Sequence, residues 1–308
     1  MSSLQSTMLV LFGVIIIGYV AGKIGIINEN ANMTFSTLML YITSPLLIIS
    51  SISTSESGTI PVNIFLVMAI GVITYIFLIV FARIYVKIMP LNKFELPVHE
   101  VVMVFGNVAF LGYPVFQSLL GDSAIFVSTI MNLPFNILLF SYGMYLFTKD
   151  MTTDGAKGLK SLINPGFLAA IIALVIYLTG IKVPYVLNEI FTSIGNITIP
   201  LSMLMIGSSL ATIDIKYLFK DYKVLVYSVI KLVVLPVLAF IITRLIGLDT
   251  YLIKMITLNV GFPAASMVVM LATQYKKSIR SASIAVFMST LLSVITIPLI
   301  EKYLFSLL

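Results

Sequence analysis

The chain has 308 residues, of which 60% are hydrophobic and 10% are charged, whereas soluble domains have roughly 45–50% apolar and about 25% charged residues. A soluble globule of this length could not bury so much apolar surface, and the absence of cysteine excludes disulfides, thiolate metal sites and a cysteine nucleophile. The net charge of +6 is not by itself a sign of nucleic-acid binding, because membrane proteins concentrate Lys and Arg on the cytoplasmic side.

The apolar residues are grouped in ten runs, most of them near the roughly 20 residues that a helix needs to cross a bilayer core of about 30 Å. The N-terminal segment has no basic stretch, and no small-residue cleavage site follows it, so the first run is predicted to be a retained helix. The sequence therefore predicts an all-α integral membrane protein with ten transmembrane helices. The runs are, in chain order, Thr7–Gly22, Phe35–Ser53, Asn63–Val86, His99–Leu120, Ala124–Phe147, Gly166–Ile181, Phe191–Ala211, Val224–Leu245, Leu252–Tyr275 and Ser281–Leu304.

Lys and Arg are distributed unevenly between alternate connectors. Thirteen fall on one side and four on the other, and Lys231 lies inside the eighth run. The positive-inside rule then places both termini outside the cell and the middle connector, 149–165, in the cytoplasm. We therefore expect a multi-pass protein of the cell membrane. The thirteen are Lys23, Arg83, Lys87, Lys93, Lys149, Lys157, Lys160, Lys216, Lys220, Lys223, Lys276, Lys277 and Arg280, and the four are Lys182, Arg244, Lys254 and Lys302.

The two halves of the chain carry matching motifs. Ile42-Thr-Ser-Pro45 matches Ile197-Thr-Ile-Pro200, and the two prolines are 155 residues apart. Asn107-Val-Ala-Phe110 matches Asn259-Val-Gly-Phe262 at an offset of 152. Each repeat, 1–148 and 166–308, would hold five spans, an odd number, so the second copy must enter the membrane from the opposite face. Such inverted repeats are common among secondary transporters.

The fourth and ninth runs contain the polar breaks Asn107-Val-Ala-Phe-Leu-Gly-Tyr-Pro114 and Asn259-Val-Gly-Phe-Pro263. Proline removes a helix hydrogen bond and glycine lowers the barrier to unwinding, so two inverted breaks should meet near the bilayer midplane. Free N–H groups and the two amides would form a cradle for a carboxylate. A purely structural role stays open, because buried Asn also joins membrane helices. The predicted substrate site consists of Asn107, Gly112, Tyr113, Pro114, Asn259, Gly261 and Pro263.

The other matched pair, Pro45 and Pro200, is predicted to kink the second and seventh helices, with the hydroxyls of Thr43 and Thr198 satisfying backbone groups. Direct contact with substrate is the alternative. Lys231 is expected to snorkel to the cytoplasmic face, because a charge at a helix centre is expensive. Its alternative role is a counter-charge for a bound anion.

His99 and Glu100 open the fourth run but do not form H-E-x-x-H, since Met103 stands where the second histidine belongs. A zinc protease is therefore not supported, and neither a metal nor a cofactor is predicted. We expect a solvated helix start at His99, with a proton-relay role of Glu100 as the alternative.

In these motifs the sequence resembles the auxin efflux carrier family, which includes plant PIN-type auxin exporters and bacterial malate permease-like proteins. The resemblance covers nearly the whole chain, and the short middle connector is similar to that of bacterial-type members. The residues that carry it are Asn107-x4-Gly112-x-Pro114, Pro263, Pro45, Pro200 and the tail Ala272-Thr-Gln-Tyr275, which leads into a helix containing Pro298.

The resemblance implies two inverted five-helix repeats, similar to NhaA-type antiporters and bile-acid symporters, in which broken helices 4 and 9 cross beside the substrate. It also implies a scaffold of helices 1, 2, 6 and 7, a transport unit of helices 3–5 and 8–10, an elevator-like movement, and a homodimer formed through the scaffold.

We therefore expect a secondary carrier, not an enzyme, that moves a small organic anion. Membrane lipid is its surrounding partner, and H⁺ or Na⁺ is a possible coupling ion, with Lys231 and Glu100 as candidate charges; nucleic acid is not expected as a partner. A cation/proton antiporter and a non-transporting membrane sensor are the alternatives.

Overall fold

The computed structural model describes residues 3–53, 62–121, 123–149, 165–211, 222–275 and 277–308. The predicted cytoplasmic connector, 149–165, lies almost entirely outside these ranges. The α-helices of the described chain are α1 (Ser3–Lys23), α2 (Glu29–Leu38), α3 (Ser44–Ser53), α4 (Ile64–Ile88), α5 (Leu96–Val104), α6 (Tyr113–Leu120), α7 (Ser123–Met131), α8 (Leu133–Leu138), α9 (Met144–Thr148), α10 (Pro165–Thr179), α11 (Tyr185–Gly195), α12 (Thr198–Ala211), α13 (Tyr222–Val229), α14 (Leu235–Leu245), α15 (Thr250–Gly261), α16 (Met267–Gln274) and α17 (Ile279–Leu299).

Wider, π-helical turns directly precede or follow several of these helices. They are Met39–Thr43, Val108–Gly112, Leu139–Gly143, Ile230–Val234 and Ile300–Leu304. Three of them end two residues before a proline, at Pro45, Pro114 and Pro236. A proline ring collides with the carbonyl four residues earlier, and a π turn widens the helix at that point. These prolines therefore stand inside continuing helices and do not end them.

Pro200 is accommodated differently. It lies in the first turn of α12, directly after Asn196 and Ile197 separate α11 from α12. Proline is tolerated in the first turn of a helix because the N–H that it lacks would have no intrahelical partner there.

Five stretches of the described chain are long and apolar enough to cross a membrane: Glu29–Ser50, Ile64–Ile88, Tyr185–Ser209, Tyr222–Leu245 and Ile279–Leu307. Their outer surfaces are apolar as well; on α4, for example, Phe65, Leu66, Ile73 and Ile76 are exposed. Hydrocarbon can cover such a surface, whereas water cannot do so without cost. The protein is therefore an all-α, multi-pass membrane protein, and the ten-span inverted repeat stays a prediction.

The helices form two compact units, which do not follow the halves of the sequence. The first unit consists of Met1–Gly71, Ala109–Ile137 and Leu159–Ile213. The second consists of Val72–Val108, Leu138–Gly158 and Asp214–Leu308. The sequence analysis divided the chain into a scaffold and a transport unit made of whole helices. The boundaries between the two compact units instead fall within α4 and after Val108. The division into scaffold and transport unit therefore stays a prediction.

In the first unit α1 lies directly against the backbone of α12. A Cβ added at Gly18 would be 2.3 Å from the carbonyl oxygen of Leu204, and one added at Gly207 would be 2.0 Å from that of Ile15. Small residues at such crossings let membrane helices approach closely, and close packing replaces the hydrophobic effect as the attraction between them. Both glycines are therefore required by the close approach of the two helices.

The same unit contains a contact between the matched threonines. Thr198 Oγ1 donates to Thr43 Oγ1 at 2.8 Å, and both residues are buried. The hydroxyl of Thr198 thus donates to a side chain, so the prediction that it satisfies a backbone group is wrong for Thr198. The two residues are 155 positions apart, the same offset as Pro45 and Pro200.

Replacing either threonine with valine should lower stability by about 1 kcal/mol, because the remaining buried hydroxyl loses its partner. The double variant Thr43→Val/Thr198→Val should lose less than the sum of the two single variants, with a coupling of about 0.6–1.5 kcal/mol. Thermal unfolding of the four purified proteins measures this cycle, and strictly additive losses would contradict it.

Candidate functional site

Two helix breaks pair with each other in the second unit. Helix α5 ends at Val104, and Phe105 takes an extended conformation, with φ −100° and ψ 105°. Helix α15 ends at Gly261, and Phe262 is extended as well, with φ −69° and ψ 145°. The two extended segments run antiparallel, with Gly106 bridged to Ala264.

Backbone hydrogen bonds hold this crossing together. The N–H of Asn107 donates to the carbonyl oxygen of Pro263 at 2.7 Å, and the N–H of Ala265 donates to that of Phe105 at 3.0 Å. Hydrocarbon offers no partners for backbone groups released by a broken helix, so the two breaks satisfy each other. The crossing of the two breaks, predicted from their inverted repeats, is thus formed by the backbone.

The first break lies earlier in the chain than predicted. The predicted break extended from Asn107 to Pro114, but the helix is interrupted at Phe105–Asn107 and then continues through the π turn Val108–Gly112 into α6. That π turn accommodates Pro114, so the proline does not force an end. The interruption occurs where a second extended segment supplies hydrogen bonds.

The asparagine side chains at the crossing are both buried. Asn107 is 2% exposed and Asn259 is 3% exposed. The amide nitrogen of Asn107, Nδ2, has no hydrogen-bond acceptor among the described residues. A buried donor without an acceptor costs about 1–3 kcal/mol of stability. A ligand that accepts its hydrogen bond would remove this cost.

Gly261 has a packing role next to the crossing. A Cβ added there would lie 3.2 Å from Cβ and 3.3 Å from Cγ of Pro236 in α14. The glycine therefore lets α14 approach the end of α15, and the helix ends at this residue.

The remaining predicted site residues belong to the first unit. Gly112 and Pro114 flank Tyr113 at the start of α6, and Tyr113 is buried. Its hydroxyl accepts a hydrogen bond from Thr129 Oγ1 at 3.0 Å. Asn107, Asn259, Gly261 and Pro263, in contrast, all lie in the second unit.

Lys231 does not snorkel to the surface. It is completely buried, and its Nζ donates to the carbonyl oxygen of Met103 at 2.9 Å. The expectation of a surface position is therefore wrong. The last carbonyls of a helix lack intrahelical partners and carry a partial negative charge, which draws the ammonium inward.

His99 and Glu100 are also buried, so the expected solvated helix start is wrong. Helix α5 begins at Leu96, and its residues Pro97–Val104 are all buried. His99 Nδ1 lies 3.2 Å from Tyr85 Oη, and His99 Nε2 lies 3.2 Å from Ser281 Oγ. The partners come from α4 and α17, which cover this face of α5.

Glu100 belongs to a second polar group on the same helix. Its Oε1 accepts a hydrogen bond from Tyr142 Oη and lies 3.6 Å from Nε of Arg83. Arg83 Nε also donates to Tyr142 Oη at 3.2 Å. No local sequence pattern predicts this group, because Arg83, Glu100 and Tyr142 are far apart in the chain.

An ion pair lies just before α5. Glu95 Oε2 accepts from Lys223 Nζ at 2.7 Å. Burial raises the pKa of the Glu95 carboxyl, but hydrogen bonds from Lys223 and from the N–H of Asn92 outweigh it, and the pKa lies below its usual value. The stabilisation from this pair is therefore present at neutral pH and is lost as the pH falls through the lowered pKa.

Comparison with known proteins places the chain among transporters. A family described as membrane transport protein matches residues 4–301. An uncharacterized transporter of Methanocaldococcus jannaschii is 24% identical over 309 residues, covering 96% of this chain and 97% of the relative. The uncharacterized transporter YfdV of Escherichia coli strain K12 is 22% identical over 295 residues, covering 93% of each chain.

Proposed function

The chain belongs to the auxin efflux carrier family of membrane transport proteins, and on that premise we propose that it is a secondary carrier that moves a small organic anion across the cell membrane. The substrate site in this proposal consists of Asn107, Asn259, Gly261 and Pro263 of the second unit. Gly112, Tyr113 and Pro114 of the first unit stay a prediction from the sequence.

The amide nitrogen of Asn107, which has no acceptor among the described residues, carries this proposal. At the crossing the carbonyls of Phe105, Gly106 and Pro263 each receive a backbone N–H. The donor Nδ2 of Asn107 is not in use among the described residues. A spare buried donor favours a carboxylate over a metal cation, and a protonated Lys231, whose Nζ donates to the carbonyl of Met103 in α5, would add positive charge.

Movement of the substrate is proposed to follow the elevator-like scheme implied by the family. Ten spans in two inverted repeats, 1–148 and 166–308, would form a scaffold of helices 1, 2, 6 and 7 and a transport unit of helices 3–5 and 8–10. Two such chains would form a homodimer, with both termini outside. The membrane potential would act on the anion's own charge, supplying about 2.3 kcal/mol per charge per 100 mV.

Cation/proton exchange is the second candidate. It is favoured by the burial of Glu100 and His99, since ionisable residues inside membrane proteins commonly mark ion pathways. Glu100 is held by Tyr142 and Arg83, however, so it would have to leave these partners to carry a proton. This candidate requires that transport depend on Glu100 and follow Na⁺ or H⁺.

Purified protein in liposomes should take up radiolabelled carboxylates such as acetate, malate or benzoate, and an imposed potential should change the rate in the direction set by the anion's charge. Scintillation counting with empty liposomes as control measures this. Sodium or proton flux without carboxylate flux would favour the second candidate. Ligand binding without any flux would instead indicate a membrane sensor, and either result would contradict the proposal.

A further inference from the structure

The backbone carbonyls at the C-terminal end of α5, here called its carbonyl end, accept hydrogen bonds from side chains of one neighbouring helical segment. The Val101 carbonyl receives the N–H of Phe105 at 2.9 Å. The next two carbonyls have no intrahelical partner, and Tyr227 Oη donates to Val102 at 3.1 Å while Lys231 Nζ donates to Met103 at 2.9 Å. Tyr227 and Lys231 are four residues apart, on one face of the helix that runs from α13 into the π turn Ile230–Val234.

Lys231 brings a buried amino group to this helix end. It is completely buried and forms no ion pair with a carboxylate of the described residues. A buried ammonium is expensive unless something balances it, and the helix terminus offers only about half an elementary charge. When Lys231 is protonated, the balance left over is positive, and the carbonyl that it contacts belongs to Met103, four residues before Asn107 in the chain.

Half-helix ends and unwound carbonyls are the places where membrane carriers bind small cations. In this crossing the carbonyls of Val101, Val102, Met103, Phe105 and Gly106 each accept a hydrogen bond from the protein. A sodium ion would have to share or displace these bonds. The Nζ of Lys231 lies 2.9 Å from one of these carbonyls, that of Met103.

We propose that the ammonium of Lys231 takes the place of a coupling metal cation at the carbonyl end of α5, so that the protein binds its anion without Na⁺ or K⁺. This deepens the proposed function and rests on it for the identity of the transported ligand. Lys231 acts as a positioning charge, and the anion completes the charge balance when it binds.

The first test needs neither a variant nor a substrate. Thermal unfolding of the purified wild-type protein is compared in NaCl, LiCl, KCl and N-methyl-D-glucamine chloride at equal ionic strength. The Tm should be the same in all four salts. A Tm that rises selectively with a metal cation would overturn the proposal, because a ligand of the folded state raises its stability.

The second test uses Lys231→Ala, which vacates the ammonium position. Its Tm in N-methyl-D-glucamine chloride should be below that of wild type, and Na⁺ or Li⁺ should raise it selectively. Lys87→Ala is the matched control, since Lys87 is exposed at the end of α4 in the same unit. A Lys231→Ala protein as indifferent to metal cations as wild type contradicts the proposal.

The third test measures counterflow of a radiolabelled carboxylate with no ion gradient imposed. Wild-type uptake should not change when Na⁺ and K⁺ are replaced by N-methyl-D-glucamine. Lys231→Ala should lower uptake about 10- to 100-fold, the loss expected for a charged hydrogen bond. Lys231→Met, which keeps the aliphatic stem, serves if the alanine variant does not fold. Uptake at the wild-type rate in either variant, or dependence of wild type on Na⁺, overturns the proposal.

These outcomes separate the two proposals. If wild-type liposomes move no carboxylate, the proposed function fails, yet the salt dependence of Tm still decides the role of Lys231. If carboxylate uptake is found and requires Na⁺, the function stands and the role of Lys231 as a built-in cation fails.

Discussion

Gly207→Ala should lower the stability of the protein by about 3 kcal/mol, at the upper end of the usual range for overpacking. The new Cβ would lie 2.0 Å from the carbonyl oxygen of Ile15 and 2.7 Å from the backbone nitrogen of Tyr19. Backbone atoms cannot turn aside as a flexible side chain can, so α1 and α12 would have to move apart. Thermal unfolding in detergent, followed by size-exclusion chromatography, measures the loss.

Gly13→Ala is the matched control for this prediction. Gly13 lies in the same α1, but a Cβ added there would meet no atom within 4 Å. Its replacement should be neutral or slightly stabilising, because alanine is the better helix former. Equal Tm values for the two variants would show that α1 and α12 are not packed as described.

Asn107→Ala should lower carboxylate uptake about 10- to 100-fold if the Asn107 amide donates to the anion, since hydrogen bonds to charged groups contribute about 1.5–3 kcal/mol. Stability should fall little, because Nδ2 gives up no protein partner among the described residues. Asn107→Asp should be at least as inactive, because its carboxylate would repel the anion. Uptake in liposomes and Tm in detergent are measured on the same preparations.

Asn132→Ala serves as the control for asparagine removal. The Asn132 amide donates to the carbonyl oxygen of Ser128 at 2.8 Å, within its own helical segment. This variant should keep most of its uptake and lose some stability, the reverse of the pattern expected for Asn107→Ala. If Asn107→Ala transported at the wild-type rate, the crossing would have a structural role only.

The apolar runs predicted several helices well, because each depends only on local composition. The last run, Ser281–Leu304, corresponds to α17 followed by the π turn Ile300–Leu304. The position of the first break could not be obtained in this way. It lies at Phe105–Asn107, where no proline occurs. The extended segment after Gly261 forms hydrogen bonds with the backbone there, and these replace the helix hydrogen bonds lost at the interruption.

The burial of Lys231, His99 and Glu100 could not be predicted from the sequence. Lys231 was expected at the surface because an isolated charge in a helix is expensive in lipid, and the other two because they open a predicted helix. Each has instead a partner that lies far away in the chain: Met103 for Lys231, Ser281 for His99 and Tyr142 for Glu100. Long-range partners leave no periodic signal, so they emerge only from the folded chain.

The hydrogen bond between Thr43 and Thr198 is a contact that the predicted inverted repeat would explain. A hydroxyl both donates and accepts, so a threonine can pair with another threonine across a two-fold axis, where two lysines or two aspartates would repel each other. On that prediction, a half-length ancestor that assembled with an oppositely inserted copy of itself would have placed this one threonine against its own duplicate. Fusion of two such genes would then have preserved the contact without requiring any compensating mutation.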